Sequence, residues 1–444
     1  MSTEREIFVY ADTEDMEQAL FLGTLHSALI RGKEIFSFEY SKDWLRHPSA
    51  FALDPNLSLY EGRHFSEDAK PNFGIFTDSA PDRWGRILMN RREALNAKHE
   101  NRAPKKLLES DYLLGVYDNL RMGALRLKTS RQGEFLNNDK KLSAPPFSSL
   151  RELEAACRNL ENDGESSDSE RVKWLNMLIA PGSSLGGARP KSNVVDTNGN
   201  LWIAKFPSKN DEGDFHAADF VGQTAENDPD ADEGDTEAWE MVANELALTL
   251  GMNVPECDLK KFGKHHTFLS KRFDREDGKR IHFASAMTLL GYSDGTGASN
   301  GANYIELAEF ITRNDIGIDL REMWTRIVFN ICIGNSDDHL RNHGFLLGNS
   351  GRWKLSPVYD INPNPHAQGL SLNINEDSNA LDLELALEVA KYFKVSKRDA
   401  KDTVQDFADT ISERWDIYAS DYGISKSEQD YYSSAFSAAM DWAK

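Results

Sequence analysis

Three stretches of this 444-residue chain carry side chains whose types and spacing could handle phosphate. The first runs from Gly182 to Lys191 as Gly-Ser-Ser-Leu-Gly-Gly-Ala-Arg-Pro-Lys. Closely spaced glycines let backbone N–H groups turn toward an anion, and a nearby lysine adds a point charge. The run misses the P-loop template, because Gly187 is followed by Ala-Arg-Pro-Lys and not directly by Lys-Ser. It also misses the GxGxxG spacing of eukaryotic kinases. Taken alone it reads as a plain loop.

The second is Lys205, set in the apolar run Leu201-Trp-Ile-Ala-Lys-Phe206 shortly after the glycines. A lysine in such a strand resembles the one that pairs nucleotide phosphates in kinases, although a lone strand lysine more often snorkels at an edge. The third is Asn335-Ser-Asp-Asp-His-Leu-Arg-Asn342, followed by Ser356-Pro-Val-Tyr-Asp360. An Asp five residues before an Asn, then a later Asp, suits an aspartate that orients a hydroxyl and two oxygen ligands for Mg²⁺. Each of these residues singly is an ordinary turn or cap residue. Glycine loop, lysine, Asp–Asn and Asp in this order favour phosphoryl transfer.

Elements must position these groups. The first ~130 residues read as short strands between turns, for example at Glu6–Ala11, Ile35–Tyr40 and Leu57–Tyr60. A helix is expected over Asp82–Asn96, capped by Asp82 or Ser79 and carrying Arg83, Arg86, Arg91 and Arg92 as a solvated basic face. Residues 131–149 look like a linker and Glu161–Glu170 like a loop. Arg171–Ile179 is an apolar segment leading into the glycines. Ser192–Val195 and Leu201–Phe206 should form a hairpin across Asp196–Asn200. Thr236–Leu250 should be helical, with Trp239, Val242, Leu246 and Leu250 on one face and Gly251 as its stop. Arg321–Ile333 should bury Met323, Trp324, Ile327, Val328 and Ile331, ending at Gly334. His343–Leu347 and Trp353–Val358 read as a hairpin, and Ser396–Tyr418 and Ser425–Trp442 as two amphipathic helices. Leu381–Val389 fits either strand or helix, since its apolar residues alternate while its composition favours helix.

Composition bounds the function. Lys+Arg 51 against Asp+Glu 72 gives −21, which argues against a protein that coats polyanions. Eleven of those acids fall in Asp211–Glu237, a tract that lacks EF-hand spacing and reads as a solvated loop. A 40% hydrophobic content supports sizeable cores, and the length suggests two or three compact units. Cys157, Cys257 and Cys332 are isolated in sequence, so buried reduced thiols are expected, not a disulfide or zinc framework. The Met1–Glu6 start has no signal-peptide pattern and no window approaches the ~20 apolar residues of a membrane span, so a cytoplasmic location is expected.

Several of these stretches together carry a family resemblance. They are Ala80-Pro-Asp-Arg-Trp-Gly-Arg86, Ser184-Leu-Gly-Gly-Ala-Arg-Pro-Lys191, Ala204-Lys-Phe206 and Trp239-Glu240 through Gly251-Met-Asn-Val-Pro255. Lys271-Arg-Phe-Asp-Arg275, Ser336-Asp-Asp-His-Leu-Arg-Asn342 and Tyr359-Asp360 complete the set. The chain resembles the HipA family, serine/threonine-kinase toxins of bacterial type II toxin–antitoxin modules. The resemblance implies an α+β fold: a two-lobed kinase-like core, with a mixed α/β N-lobe and a mainly helical C-lobe, behind an N-terminal β-rich accessory domain. The expected boundaries are 1–130 for the accessory domain, 150–275 for the N-lobe and 276–444 for the C-lobe.

Roles follow by resemblance, position by position. Asp337 matches the catalytic aspartate, Asn342 and Asp360 the magnesium ligands, and Lys205 the phosphate-contacting lysine, with Glu240 as its candidate partner. Gly186, Gly187, Ala188, Arg189, Pro190 and Lys191 would line the phosphates, and Lys271, Arg272 and Phe273 the adenine hinge. His339 and Tyr359 belong to the same nucleotide pocket. Ser184 matches the serine that family members autophosphorylate, with Ser183 as the adjacent candidate. Two departures stand out: Lys271 where the family is often acidic, and an acidic tract longer than the usual connector. ATP and Mg²⁺ are the implied cofactors. The implied partners are a helix-turn-helix antitoxin, operator DNA chiefly through that antitoxin, and a protein substrate such as glutamyl-tRNA synthetase. Two other classes remain open at this level, a nucleotide-binding corepressor without useful transferase activity and a small-molecule phosphotransferase.

Overall fold

The computed structural model describes residues 4–13, 15–136, 144–161, 167–179, 189–208, 234–314, 317–348 and 351–444. The chain divides into two units whose segments interleave: 1–204 with 271–294 and 345–352, and 205–270 with 295–344 and 353–444. The polypeptide passes from one unit to the other between Ala204 and Lys205.

In the first unit, alternating apolar residues build a five-stranded antiparallel sheet of β1 (Arg5–Ala11), β2 (Leu20–Ile30), β3 (Lys33–Tyr40), β4 (Arg63–Phe65) and β5 (Leu125–Lys128), in the order β4-β3-β2-β1-β5. The register sets Ile7 opposite Leu25 and Leu25 opposite Phe38, so these side chains share one buried face with Val9 and Phe36. A side chain at Gly23 would collide with the Glu39 carbonyl and the Phe38 ring, which is why glycine stands mid-strand there. The expected strand at Leu57–Tyr60 is instead irregular. Leu57 is buried and the Tyr40 hydroxyl donates to its carbonyl at 2.8 Å, so a side chain satisfies the backbone where a ladder was expected.

Helix α1 (Arg83–His99) starts where the Asp82 carboxylate accepts from Gly85 N at 2.8 Å. It packs on α3 (Asp168–Ile179), which pairs with α2 (Leu150–Glu161). The apolar run after the expected 161–170 loop is thus the body of α3, although residues 162–166 of that loop lie outside the described set. Strands β6 (Lys191–Val195) and β7 (Leu201–Lys205) are neighbours across Asp196–Asn200, where Asp196 N donates to Asn200 O at 3.1 Å.

In the second unit, α4 (Thr236–Thr249) is capped by Asp235, and Gly251 follows it with φ +72°. Strands β8 (Cys257–Phe262) and β9 (His265–Lys271) pair antiparallel. Helix α5 (Tyr304–Arg313) packs against α6 (Gly317–Cys332), whose Met323, Trp324, Ile327, Val328 and Ile331 are all buried. The ambiguous 381–389 stretch is helix α7 (Leu383–Val389). Helix α8 (Lys397–Asp421) lies against α4, with Trp239 stacked on Trp415 and on Tyr432 at centroid distances of 6.4 and 4.3 Å. The last expected helix is broken into Lys426–Tyr432, a 3₁₀ turn at Ser433–Phe436, and Ser437–Trp442. Ser433 and Ser434 turn their hydroxyls onto the carbonyls of Asp430 and Pro365, at 2.6 and 2.9 Å, and divert the chain. Among the described residues, no helix is long and apolar enough to cross a membrane.

Candidate active site

Helix α6 delivers the chain into the Asn335–Asn342 loop through Gly334, at φ +61°. A Cβ at Gly334 would lie 3.0 Å from Ala435 O and 3.1 Å from Asn364 O, so only a glycine makes this exit without displacing neighbours. The second aspartate of the loop, Asp338, is buried and turned inward. It accepts from Tyr304 Oη at 2.5 Å and Asn330 Nδ2 at 2.6 Å, and lies 3.0 Å from His343 Nε2. Burial opposes its ionisation, but His343 and Tyr304 more than offset it and hold its carboxyl below the ordinary range. With Asp338 tied inward, its neighbour Asp337 is left exposed.

The Asp337 carbonyl gathers the loop, accepting from His339 N at 2.8 Å and from Asn342 Nδ2 at 2.9 Å. Loss of water around the Asp337 carboxyl raises its pKa, His339 opposes the rise, and the Asp360 and Asp338 charges add to it. Asn342 Oδ1 and His339 Nδ1 are buried with no hydrogen-bond partner among the described residues. A buried oxygen in that condition is costly unless something meets it.

Asp360 has φ +60°, an uncommon conformation for a residue with a side chain and one that concentrates at functional sites. Just before it, Tyr359 Oη donates to Arg341 O at 2.6 Å, tying this segment to the loop. Lys205 Nζ donates to both Glu240 oxygens, at 2.6 and 2.7 Å, and to Asp360 Oδ1 at 2.7 Å. Burial alone would lower the lysine pKa, but the Asp360 and Glu240 carboxylates outweigh it and hold the ammonium charged. Lys205, Glu240, Asp360, Asn342, Asp337, His339 and Tyr359 all belong to the second unit. For Mg²⁺, which takes oxygen ligands and keeps room for substrate oxygens, the unpartnered Asn342 Oδ1 and the Asp360 carboxylate are a fitting donor pair.

Of the remaining expected site residues, Arg189, Pro190, Lys191, Lys271, Arg272 and Phe273 lie in the first unit. Gly186, Gly187, Ala188, Ser183 and Ser184 fall outside the described residues, as do 211–233 of the acidic tract. Arg189 and Pro190 lead into β6, where Lys191 is buried with Nζ 3.2 Å from Asp82 Oδ2. Its charge therefore has a protein partner. Lys271 ends β9, and the ring of Phe273 lies 6.2 Å from that of Phe283. Arg272 is buried, with its backbone N–H donated to Leu201 O at 2.9 Å. Residue types did not point to Asp338, Tyr304 or Asn330, and pointed to Asp82 only as a helix cap. The one usable signal was the doubled aspartate at 337–338, which invites the question of which one faces inward.

Mixed sheet and helix with a β-rich N-terminal region define an α+β, kinase-like fold. The chain belongs to the HipA family: residues 183–415 match the HipA-like C-terminal domain. A Haemophilus influenzae protein, named provisionally as a kinase, is 28% identical over 221 residues, covering 45% of this chain and 60% of its own. The serine/threonine-protein kinase toxin HipA of Shewanella oneidensis is 29% identical over 143 residues, covering 28% of this chain and 33% of its own. The chain thus matches less than two thirds of either relative's length. In fold, it is similar to the solved complex of Shewanella oneidensis HipA with HipB and operator DNA, with a TM-score of 0.64 at 18% identity over 98% of this chain and 97% of that one.

Proposed function

We propose that this protein is an ATP- and Mg²⁺-dependent serine/threonine-protein kinase and the toxin of a toxin–antitoxin pair. The observation that carries the reading is the grouping of Lys205 between Glu240 and Asp360, beside a loop that leaves Asp337 exposed and Asn342 Oδ1 without a hydrogen-bond partner among the described residues. Lys205 would meet nucleotide phosphates, held in reach by Glu240. Asn342 and Asp360 would hold Mg²⁺, whose charge neutralises phosphate oxygens when it is bound. Asp337 orients a Ser or Thr hydroxyl and takes its proton, a contribution of roughly 10²–10⁴-fold. Adenine would rest on Lys271–Phe273, and Ser184 or Ser183 would accept phosphate in autophosphorylation. A helix-turn-helix antitoxin, operator DNA reached through it, and an aminoacyl-tRNA synthetase as substrate complete the proposal.

Incubation with labelled ATP and Mg²⁺, followed by mass spectrometry of residues 171–195, tests it. Phosphate on Ser184 or Ser183 is expected, with its rate cut at least ~100-fold in Asp337→Asn while nucleotide still binds. Undiminished autophosphorylation in Asp337→Asn would overturn the role of Asp337. Nucleotide binding without transfer under any condition would favour a corepressor.

A further inference from the structure

The proposed adenine hinge, Lys271–Phe273, is followed by an aspartate that none of the phosphate chemistry uses. Asp274 is fully buried and meets four donors. Arg272 supplies two of them in a bidentate pair, Nε to Oδ1 at 2.8 Å and Nη2 to Oδ2 at 2.7 Å. Arg275 Nη1 lies 2.6 Å from Oδ2, and the backbone N–H of Gly123 donates to the same oxygen at 2.8 Å. Burial opposes the Asp274 charge, but Arg272 and Arg275 outweigh it and hold the carboxyl well below the ordinary range.

These two arginines, together with Arg280, reach across to the loop that precedes β5. Arg272 Nη1 donates to Leu120 O at 2.7 Å and to Asn193 Oδ1 at 2.9 Å. Arg275 Nη2 donates to Arg121 O at 2.8 Å, and Arg280 Nη2 to Asp118 O at 2.8 Å. Gly123 lets the loop come this close, since at its φ of +72° a Cβ would stand 2.9 Å from Phe283 N. A buried ion pair seldom outdoes an apolar pair in stability, so what it contributes best is a defined geometry. Here the geometry defined is that of the hinge backbone.

We propose that the Arg272–Asp274 pair is a positioning device through which the 118–124 loop of the β-rich N-terminal region sets the path of the hinge, and with it the affinity for adenine nucleotide. The inference rests on the kinase reading above, which makes Lys271–Phe273 the hinge. Asp274 and the 118–124 loop are positioning groups and touch no reacting atom.

The test separates binding from turnover. In Asp274→Asn, Gly123→Ala and Asn193→Ala, the dissociation constant for MgATP by calorimetry should rise about tenfold. The maximal autophosphorylation rate at saturating ATP should stay within about twofold of the parent. A lowered melting temperature with unchanged MgATP affinity would show the cluster to be structural only and overturn the inference. So would a fall in maximal rate at unchanged affinity. If Asp274→Asn does not fold, the Gly123 and Asn193 variants decide by the same readings. Failure of the parent protein itself to bind MgATP would refute the kinase reading and this inference with it. Normal binding by the parent and by all folded variants would refute only the inference.

Discussion

Lys205 illustrates how a single residue can hold both a site and a fold. Its ammonium lies within 2.7 Å of both Glu240 and Asp360, and Glu240 is buried. In Lys205→Met the two carboxylates face each other across an apolar side chain, and breaking such a pair costs about 3 kcal/mol or more. Thermal melts should therefore show Lys205→Met markedly destabilised. Adding Glu240→Gln should recover a good part of the loss without restoring phosphate transfer. If the double variant melts no higher than the single one, uncompensated charge was not the cause. A different residue, His282, should contribute to acid sensitivity. Burial pulls its pKa from 6.5 down to about 3. Below about pH 6.5 the unfolded chain takes up a proton that the folded chain refuses until about pH 3, so stability is lost progressively as pH falls through that window. His282→Phe should flatten the pH dependence of the melting temperature between pH 6.5 and 4. An unchanged slope would assign the acid sensitivity to other groups.

At the scale of elements, the α6 exit is the junction on which the site depends. Gly334 lies between the carbonyls of Ala435 and Asn364, with 3.0 and 3.1 Å for any added Cβ, and also takes a positive φ. Gly334→Ala should cost about 1–2 kcal/mol in denaturant melts, from conformation and crowding together. It should also slow phosphate transfer by shifting the Asn335–Asn342 loop. Full activity with a lowered melting midpoint would mean that the loop holds its own shape. Such dependences explain what the sequence does and does not reveal. Helices α4 and α6 and the 191–205 hairpin were legible because apolar periodicity, capping residues and stop glycines agree along one stretch of chain. Leu57–Tyr60 was mistaken for a strand because the deciding partner, Tyr40, is remote. The site divides the same way. Asp337, Asn342, Asp360 and Lys205 are proposed as site residues on type and order. The inward turn of Asp338 depends on Tyr304 and Asn330, which no local pattern links to it.

Across the whole molecule, the interleaving of segments decides how separable its parts are. Residues 131–149 look like a linker, which suggests that a core beginning near 150 would stand alone. The bonding says otherwise within the first unit, which combines 1–204 with 271–294 and 345–352. Removing 1–149 would take from Asp274 the Gly123 N–H, and from Arg272, Arg275 and Arg280 their acceptors at Leu120, Arg121 and Asp118. It would also take Asp82 from the buried Lys191, and Asp78 from Ser285 N, which donates to it at 2.8 Å. Each buried polar group left unmet costs about 1–3 kcal/mol, and more when charged, against a total stability of roughly 5–15 kcal/mol. Six such losses are on the scale of that whole margin. The fragment 150–444 should therefore be insoluble or lack a cooperative melt, and co-expression with 1–149 as a separate chain should rescue soluble protein. Size-exclusion chromatography and circular dichroism of the two preparations check this. A fragment that melts cooperatively on its own near the temperature of the full chain would show that the buried arginine and lysine contacts find other partners, and that the β-rich region is an attachment and not part of the unit's core.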